Sequence, residues 1–308
     1  MNGSTRYCAT SRSATIARRE PPKRHGLGVV DKAAGWTSHD VVARARKVLG
    51  ERRVGHSGTL DPDATGVLLL GVGSVTRLLR YLTALPKTYT CEIVCGVETD
   101  TLDAGGVVVA SYEMGGLDID AVRRASQSLI GAIDQVPPMV SAVHHEGRRL
   151  HELAREGIEV ERAARPVTVH RFVLAPTADP LVYTAEVECS SGTYVRVLAA
   201  DLGKALGGGA HLRSLRRTAI GSFTVAEAQP VESLILLDPP TAMRDYSSLM
   251  VDDDTARLVA HGRPIEAPAE GEGPWAVHST TGRLLAVYER AGDMVKPSVV
   301  LSDAGETA

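Results

Sequence analysis

The sequence predicts an α+β fold: a mixed, largely antiparallel sheet with helices packed on it, followed by a small β-rich domain. Three observations predict it. Segments that alternate like strands are interspersed with segments of helical spacing, without a regular βαβ repeat. Turn-forming glycines and prolines separate these segments. The pair Pro239-Pro240 precedes a last stretch that is rich in strand patterns.

Local apolar patterns predict the individual elements. A first short strand covers 27–30, and the segment from Thr37 to Asp40 resembles a helix start because a hydroxyl stands ahead of the first turn. Gly50 ends the apolar stripe of this helix. The later elements are a turn-rich segment over 54–73, a helix over 74–85, strands over 89–94 and 107–111, a helix over 119–129, an irregular charged stretch over 137–165, strands over 167–174 and 183–189, a helix over 193–206, a basic segment over 213–217, and strands over 275–278, 284–288 and 298–301.

The length and the local composition predict the domain organisation. A chain of 308 residues can form one large domain plus a small one. Residues 1–25 have the Ser- and Arg-rich composition of a disordered tail, with a single acid at Glu20. We therefore predict a basic disordered tail over 1–25, a main domain over 26–240 that contains an insertion at 137–165, and a C-terminal domain over 248–304.

Several functional classes are disfavoured by what the sequence lacks. It has no run of eighteen apolar residues and no apolar signal segment, which predicts a cytoplasmic protein without membrane contact. Its cysteines, Cys8, Cys91, Cys95 and Cys189, form no CxxC pair, so buried thiols are expected rather than zinc ligands or disulfides. No HExxH motif or Walker loop is present, and we expect no metal or cofactor. The lack of an exposed heptad pattern predicts a monomer, and no protein partner is implied.

The charge distribution is more informative than the net charge of -3, which by itself disfavours nucleic-acid binding. Residues 26–60 carry six Lys/Arg against three acids, and residues 196–217 carry five against one. Residues 251–308 carry ten acids against five bases. Any basic surface for nucleic acid is therefore expected on the larger domain.

The densest motif is GHSGTLDPDATG at 55–66. Its three glycines and its proline specify a fixed irregular backbone, and Pro62 biases Asp61 toward an extended conformation that projects the carboxylate. Two interpretations are open on composition alone. The loop either presents a reactive carboxylate or forms a structural turn with an Asx-type hydrogen bond, and composition alone favours the turn.

This segment resembles the GHxGtLDPxAtG signature of the TruB family of pseudouridine synthases. Further matches follow in order: DKAAGWTS at 31–38, KTY at 87–89, GVETDTLDAG at 96–105, QVPPMVSA at 135–142, CSSGTYVR at 189–196 and LRRT at 215–218. The resemblance covers residues 27–225, and the C-terminal part more loosely. It implies a catalytic domain of the pseudouridine synthase type, followed by a PUA-like domain.

The resemblance also implies the activity and its catalytic residues. The family isomerises the uridine at position 55 of tRNA, in the T loop, after flipping it out of the stack. Asp61 matches the aspartate that bonds covalently to the nucleoside, either at C1′ or at C6 of the base. Arg196 matches the arginine that pairs with this aspartate. Tyr89 matches the tyrosine that stacks on the flipped base and helps to remove the proton from C5.

The expected partner is therefore the T arm of tRNA. His56 matches the histidine that wedges into the T loop. We also assign RNA contacts to five residues of the other motifs or next to them: Lys32, Lys87, His144, Arg216 and Arg217. His144 stands where the family usually has lysine, so a phosphate contact there would be weaker and sensitive to pH. Ala33 and His151 replace the usual proline and tyrosine.

Three alternatives remain at this point. The chain could be a tRNA-binding or tRNA-folding protein that does not need turnover, and such a protein would tolerate the loss of Asp61. It could carry out the same chemistry on another RNA stem-loop. The acidic C-terminal domain could contact the acceptor side of tRNA or could serve only as a packing module.

Overall fold

The computed structural model describes residues 21–141, 143–145, 147–268 and 270–301. The predicted tail over 1–25 thus lies almost entirely outside the described residues, as does Cys8. The helices are α1 (Ser38–Leu49), α2 (Leu79–Ala84), α3 (Ile119–Gln127), α4 (Leu150–Arg155), α5 (Val195–Ala205) and α6 (Asp253–Ala260), with 3₁₀ turns at Gly73–Leu78, Val231–Ser233 and Pro239–Met243.

The strands are β1 (Gly26–Lys32), β2 (Val54–His56), β3 (Thr65–Val72), β4 (Lys87–Cys95), β5 (Val97–Thr99), β6 (Val108–Ser111), β7 (Gly131–Gln135), β8 (His144–His145), β9 (Arg148–Arg149), β10 (Arg165–Pro176), β11 (Val182–Cys189), β12 (Ala210–Ile220), β13 (Phe223–Thr224), β14 (Ser247–Val251), β15 (Ile265–Glu266), β16 (Trp275–Ser279), β17 (Leu284–Ala291) and β18 (Met294–Val300).

Two sheets of the described residues define the architecture. The main sheet has the order β1-β3-β12-β4-β11-β10-β7; in addition, the short strand β2 pairs with β3 and the short strand β13 pairs with β12. Its pairs are antiparallel except for a short parallel contact between β12 and β3. The C-terminal sheet has the order β14-β16-β17-β18-β15 and also contains one parallel pair, β14 with β16. The predicted mixed, largely antiparallel α+β fold is confirmed.

The first helix forms where local signals predict it. The Thr37 side chain accepts a hydrogen bond from the Asp40 amide, and the Asp40 carboxylate accepts from the Thr37 amide, so both halves of a capping box are present. Gly50 ends the helix in the left-handed conformation, with a φ of 62°. Helix α1 buries Val41, Ala45 and two further apolar residues against the sheet, and this places its N-terminus beside the 55–66 loop.

A shared apolar core joins the two sheets. Leu69 and Leu78 of the main part pack in one cluster with Leu284 and Val287 of the C-terminal sheet. Each fully buried leucine contributes roughly 1.5–3 kcal/mol. At the edge of this interface the Tyr81 hydroxyl donates a hydrogen bond to the Glu289 carboxylate at 2.7 Å. None of the helices in the described part of the chain combines the length and the apolar content needed to cross a bilayer.

Two local predictions differ from the structure. The single helix expected over 74–85 is a 3₁₀ turn followed by the short helix α2. Gly73 begins this segment with a φ of 62°, and the Thr76 hydroxyl bonds back to the Gly73 carbonyl, which tightens the first turn. The stretch expected to be irregular contains the hairpin β8–β9 and helix α4.

Candidate active site

The loop that carries Asp61 is fixed on both sides of the aspartate. Before it, the buried Ser38 hydroxyl accepts a hydrogen bond from the Leu60 amide at 2.9 Å. After it, the Pro62 carbonyl accepts from the Lys32 ammonium at 2.8 Å and from the Gly35 amide at 3.0 Å. Two motifs that are distant in sequence, DKAAGWTS and GHSGTLDP, are therefore structurally one unit. The carboxylate is held in place before any ligand binds.

Arg196 approaches Asp61 through two parallel contacts. Its Nε lies 3.0 Å from one carboxylate oxygen, and its Nη2 lies 3.3 Å from the other. The arginine side chain is 4% exposed, whereas that of Asp61 is 42% exposed and faces the cleft. Gln135 fixes the start of helix α5 by accepting a hydrogen bond from the Tyr194 amide at 2.9 Å. The two contacts from Arg196 fix the direction of the Asp61 carboxylate and favour its charged form.

Asp103 is a further member of the site that the sequence prediction did not single out. Its carboxylate lies 3.3 Å from Nη1 of Arg196. The Thr101 and Val140 carbonyls accept from the same guanidinium, each at 2.9 Å. Between Thr101 and Asp103, Leu102 has a φ of 63°, a conformation that costs roughly 1–2 kcal/mol for a residue with a side chain. The GVETDTLDAG motif contained the signal, but it offered no means of choosing Asp103 among its acids.

The electrostatics of Asp61 combine opposing effects. Burial raises the pKa of this carboxyl above its ordinary value, and the neighbouring Asp103 raises it further. The guanidinium of Arg196 acts in the other direction and favours the ionised form. Desolvation prevails over the ion pair, so the carboxylate is less stabilised than one in water. Such a group can act as a nucleophile or can stabilise a cationic sugar.

A cavity of about 280 Å³ opens above this ion pair and is lined by Asp61, Tyr89 and Arg196 together. The structure thus brings the three predicted catalytic side chains into one cleft. Tyr89 is 8% exposed and is one of the residues that line the cavity. A second cavity of about 360 Å³ shares Asp61, Arg196 and Leu215 with it. A larger trough of about 750 Å³ on the open face of the sheet includes neither Asp61 nor Arg196 in its lining.

Three of the residues expected to contact RNA are buried. Lys32 is 1% exposed and donates to three backbone carbonyls, and burial lowers its pKa to about 8. Lys87 is 5% exposed, donates to the Thr83 and Leu85 carbonyls, and also has a pKa lowered by burial to about 8. Arg217 is 1% exposed. Their contacts with RNA stay predictions: Lys87 and Arg217 line the same cavity as Asp61, and Lys32 supports the loop that carries Asp61 through the Pro62 carbonyl.

The other expected RNA contacts lie closer to the surface. Arg216 is half-buried and forms a two-point ion pair with Asp31, at 2.7 and 3.0 Å. His56 is half-buried and packs edge to face against His39, with ring centroids 5.3 Å apart. Burial lowers the pKa of His56, and the neighbouring His39 lowers it further, so the neutral ring is favoured. His144 lies on β8, within the insertion.

Family models match most of the chain. The model described as the TruB family pseudouridylate synthase N-terminal domain matches residues 46–195. A tRNA pseudouridylate synthase B C-terminal domain model matches residues 196–239. The model described as the C-terminal part of tRNA pseudouridine synthase II matches residues 246–302.

Curated relatives are similar over nearly their whole length. A protein of Arthrobacter sp. (strain FB24) is 43% identical over 299 residues, which cover 91% of this chain and 98% of the relative. A protein of Thermobifida fusca (strain YX) is 44% identical over 291 residues, which cover 90% of this chain and 98% of the relative. Both are named tRNA pseudouridine synthase B.

Solved structures share the fold at lower identity. A chain in the crystal structure of a Cbf5-Nop10-Gar1 complex superposes with a TM-score of 0.70 at 23% identity, covering 90% of this chain and 84% of the other. A chain in an H/ACA RNP bound to a substrate RNA containing 2′-deoxyuridine superposes with a TM-score of 0.68 at 21% identity, covering 90% and 85%. At these identities the likeness describes the fold alone.

Proposed function

The chain belongs to the TruB family of pseudouridine synthases, and on that premise we propose that it converts the T-loop uridine of tRNA, position 55, to pseudouridine. Asp61 is the catalytic carboxylate of this proposal. The curated relatives of this chain carry the name tRNA pseudouridine synthase B, which supports tRNA as the substrate class. The enzyme class, an isomerase, follows from the family itself.

One observation carries the catalytic assignment: the Asp61 carboxylate contacts the buried Arg196 guanidinium and also lines a cavity that Tyr89 borders. The cavity is too small for a helix of RNA, so a single nucleotide must leave its stack to reach the carboxylate. The backbone contacts at Leu60 and Pro62 keep the loop in place while this happens. Orientation of this kind removes much of the entropic barrier of a reaction between two groups.

Two routes are compatible with this geometry. In the first, a carboxylate oxygen of Asp61 bonds to C1′, and the electron pair of the glycosidic bond leaves with N1 of the uracil. In the second, the same oxygen adds to C6 of the base, and the N1–C1′ bond then breaks with its electron pair on N1. In either route the uracil turns, C5 bonds to C1′, and the bond to Asp61 breaks. The base loses its C5 proton and N1 gains one, so the net change is an isomerisation.

The residues around the carboxylate have separate tasks in this proposal. Arg196 keeps Asp61 ionised against the desolvation of the cleft, because its guanidinium favours the charged form. Asp103 is the second anchor of the guanidinium. Tyr89 lines the same cavity, and in this proposal its ring packs against the flipped base and its hydroxyl takes part in the loss of the C5 proton.

The surface outside the cleft supplies the RNA contacts. Arg216 remains partly exposed, and His56 lies at the rim of the loop that carries Asp61. We propose that these two residues and His144 face the T arm. For the PUA-like C-terminal domain the shared apolar core supports a packing role. The monomeric state and the cytoplasmic location remain predictions.

The test of the catalytic assignment is Asp61→Asn, which preserves size and removes the charge. We expect pseudouridine formation in a tRNA transcript to be abolished while tRNA affinity stays close to that of the unsubstituted chain. The matched control is Asp120→Asn on helix α3, where the side chain is 64% exposed and far from the cleft. Undiminished modification by Asp61→Asn would refute the role of this carboxylate.

A separate experiment tests the substrate. Mapping pseudouridines in total RNA from a strain that lacks the gene distinguishes tRNA from other stem-loops. We expect the loss of a single T-loop site across elongator tRNAs. Loss confined to ribosomal or messenger RNA would contradict the tRNA assignment, and no loss at all would favour a folding protein that binds tRNA without modifying it.

A further inference from the structure

Arg217 has the largest of the fully buried side chains in the described residues. It lies on β12 directly opposite Tyr89 of β4, and its neighbour on β3 is Gly66. Its Nε donates to the Val67 carbonyl at 2.7 Å, and its Nη2 donates to the Gly58 carbonyl at 3.3 Å. The guanidinium therefore touches the catalytic loop, two strands of the sheet and the cavity that Tyr89 borders.

The two arginines of the cleft differ in their partners. Arg196 faces two carboxylates, Asp61 and Asp103. Arg217 forms no ion pair within the part of the chain that the structure describes, and the hydrogen bonds from its Nε and Nη2 go to the neutral carbonyls of Val67 and Gly58. A buried cation without an anion is costly, since carbonyl groups replace the lost hydration only in part. A cation buried in this way can stabilise negative charge that develops on a neighbouring group.

The Tyr89 phenol is the group that gains most from this charge. Directly opposite residues of an antiparallel pair project from the same face of the sheet, which brings the phenol to the guanidinium. Burial raises the pKa of Tyr89, and Arg217 opposes that rise through its charge and a hydrogen bond. Cys189 and Asp61 also face the phenol, and both disfavour a negative charge on it. Arg217 is thus the cation that makes such a charge tolerable. The other titratable groups within its influence are Lys32, His56 and Lys87.

The backbone around Arg217 leaves it little freedom. A Cβ atom on Gly66 would lie 2.1 Å from the Arg217 carbonyl oxygen, so β3 approaches as closely as a chain can. A register shift follows directly, because Ala219 rather than Thr218 pairs with the next residue of β4. Such bulges turn a side chain toward a chosen direction and occur often beside active sites. The guanidinium is therefore held in one direction before substrate enters.

We propose that Arg217 is a positioning residue whose guanidinium holds the Tyr89 phenol oxygen and stabilises negative charge on it during the reaction. It acts through Tyr89 and need not touch the RNA. The inference rests on the proposed function, since the task of Tyr89 comes from that assignment. It adds an arginine with a role separate from that of Arg196, one for each reacting side chain.

The test compares Arg217→Gln with Arg217→Lys in single-turnover modification of a tRNA transcript across a range of pH. Removing a cation from beside the phenol raises the pKa of Tyr89. We expect the limb of the rate profile that reports the ionisation of Tyr89 to move to higher pH by about 1–3 pH units in Arg217→Gln and to stay near its original place in Arg217→Lys. Arg123→Gln is the matched control, because Arg123 is 57% exposed, pairs with Asp120 on the surface of α3 and should leave the profile unshifted.

The outcomes separate an electrostatic role from a structural one. If Arg217→Gln and Arg217→Lys lower the rate by a similar factor at every pH, the role of Arg217 is only to support the loop that carries Asp61, and the proposal is overturned. If Arg217→Gln does not fold, the unfolding free energies of Arg217→Lys, Tyr89→Phe and the double variant decide. If the losses in unfolding free energy of the two single variants do not add up to that of the double variant, the contact between Arg217 and Tyr89 is supported; if they add up, the proposal is overturned. Asp61→Asn is run in parallel, so that failure of the catalytic assignment is recognised separately.

Discussion

Replacing Arg196 by methionine removes one charge from the centre of the proposed active site while keeping an unbranched, flexible side chain. The substitution deletes the two contacts with Asp61, the contact with Asp103 and the donors to two carbonyl groups. Breaking a buried ion pair from one side costs roughly 3–5 kcal/mol. The side chains of Asp61 and Asp103 are 42% and 30% exposed, and water therefore replaces part of what they lose. We expect a loss of about 3 kcal/mol in the free energy of unfolding, at the low end of that range.

The effect on catalysis should be larger than the effect on stability. Burial already raises the pKa of Asp61, and without the opposing guanidinium of Arg196 this pKa should rise further. The carboxylate also loses its fixed direction, and misplacement by about 1 Å can cost roughly 10²-fold. We expect kcat/KM for tRNA to fall at least about 10²-fold at neutral pH. Because the folded pKa of Asp61 lies above the unfolded one, the rate should recover partly as pH rises, and the stability deficit should shrink as pH falls.

Single-turnover modification, tRNA binding and urea unfolding measured on the same variant test these expectations. Arg196→Lys keeps a charge and loses the two-point contact, so its rate should fall between those of the unsubstituted chain and Arg196→Met. Arg123→Met is the control, since Arg123 is 57% exposed and pairs with Asp120 on the surface of α3. Its effect should stay within about 0.5 kcal/mol. A loss that appears wholly in tRNA affinity, with an unchanged single-turnover rate, would refute the role derived for Arg196.

Three further predictions concern the support of the site. The pKa of Lys32 is about 8 in the folded protein, against its ordinary value of 10.5. Between these pH values the unfolded chain holds a proton that folded Lys32 has lost, so the free energy of unfolding should rise with pH by up to about 1.4 kcal/mol per pH unit. Lys32→Met should remove this share of the slope in urea unfolding, and an unchanged slope contradicts the burial argument. Gly66→Ala forces a Cβ atom against the Arg217 carbonyl and should cost about 3 kcal/mol or more, against about 1 kcal/mol for Gly207→Ala, where φ is also positive but the space is open. Ser38→Ala leaves a buried amide of the catalytic loop without its acceptor and should lower stability by about 1–3 kcal/mol, with a matching loss of rate; a rate equal to that of the unsubstituted chain would mean that the loop does not depend on this hydroxyl.

The parts of the structure that could be predicted are those written in local sequence. The start of α1 follows from the Thr37 and Asp40 side chains, and its end follows from Gly50, all within one turn of the positions they affect. Asp61 and Arg196 could be named because their motifs resemble those of a known family. The structure shows the two side chains in contact across 135 positions of sequence.

The parts that could not be predicted depend on contacts between distant segments. Lys32 and Arg217 look like surface cations in a sequence, because nothing local shows that Lys32 donates to the distant Pro62 carbonyl or that β3 pairs with β12 at Arg217. Asp103 is one acid among several in a turn until the guanidinium of Arg196 is placed beside it. The 3₁₀ turn at Gly73–Leu78 follows from the tight backbone at Gly73, which helical spacing does not reveal.

The apolar core shared by the two sheets also constrains how the chain is made. Arg77, at the edge of this core, donates a hydrogen bond to the Val300 carbonyl, 223 positions later in the sequence. A ribosome that has already translated every catalytic residue therefore still holds a protein whose apolar core around Leu78 and Leu82 lacks Leu284 and Val287. We expect translation that stops before β17 to yield aggregates that require chaperones or proteolysis, and not a shorter enzyme with partial activity.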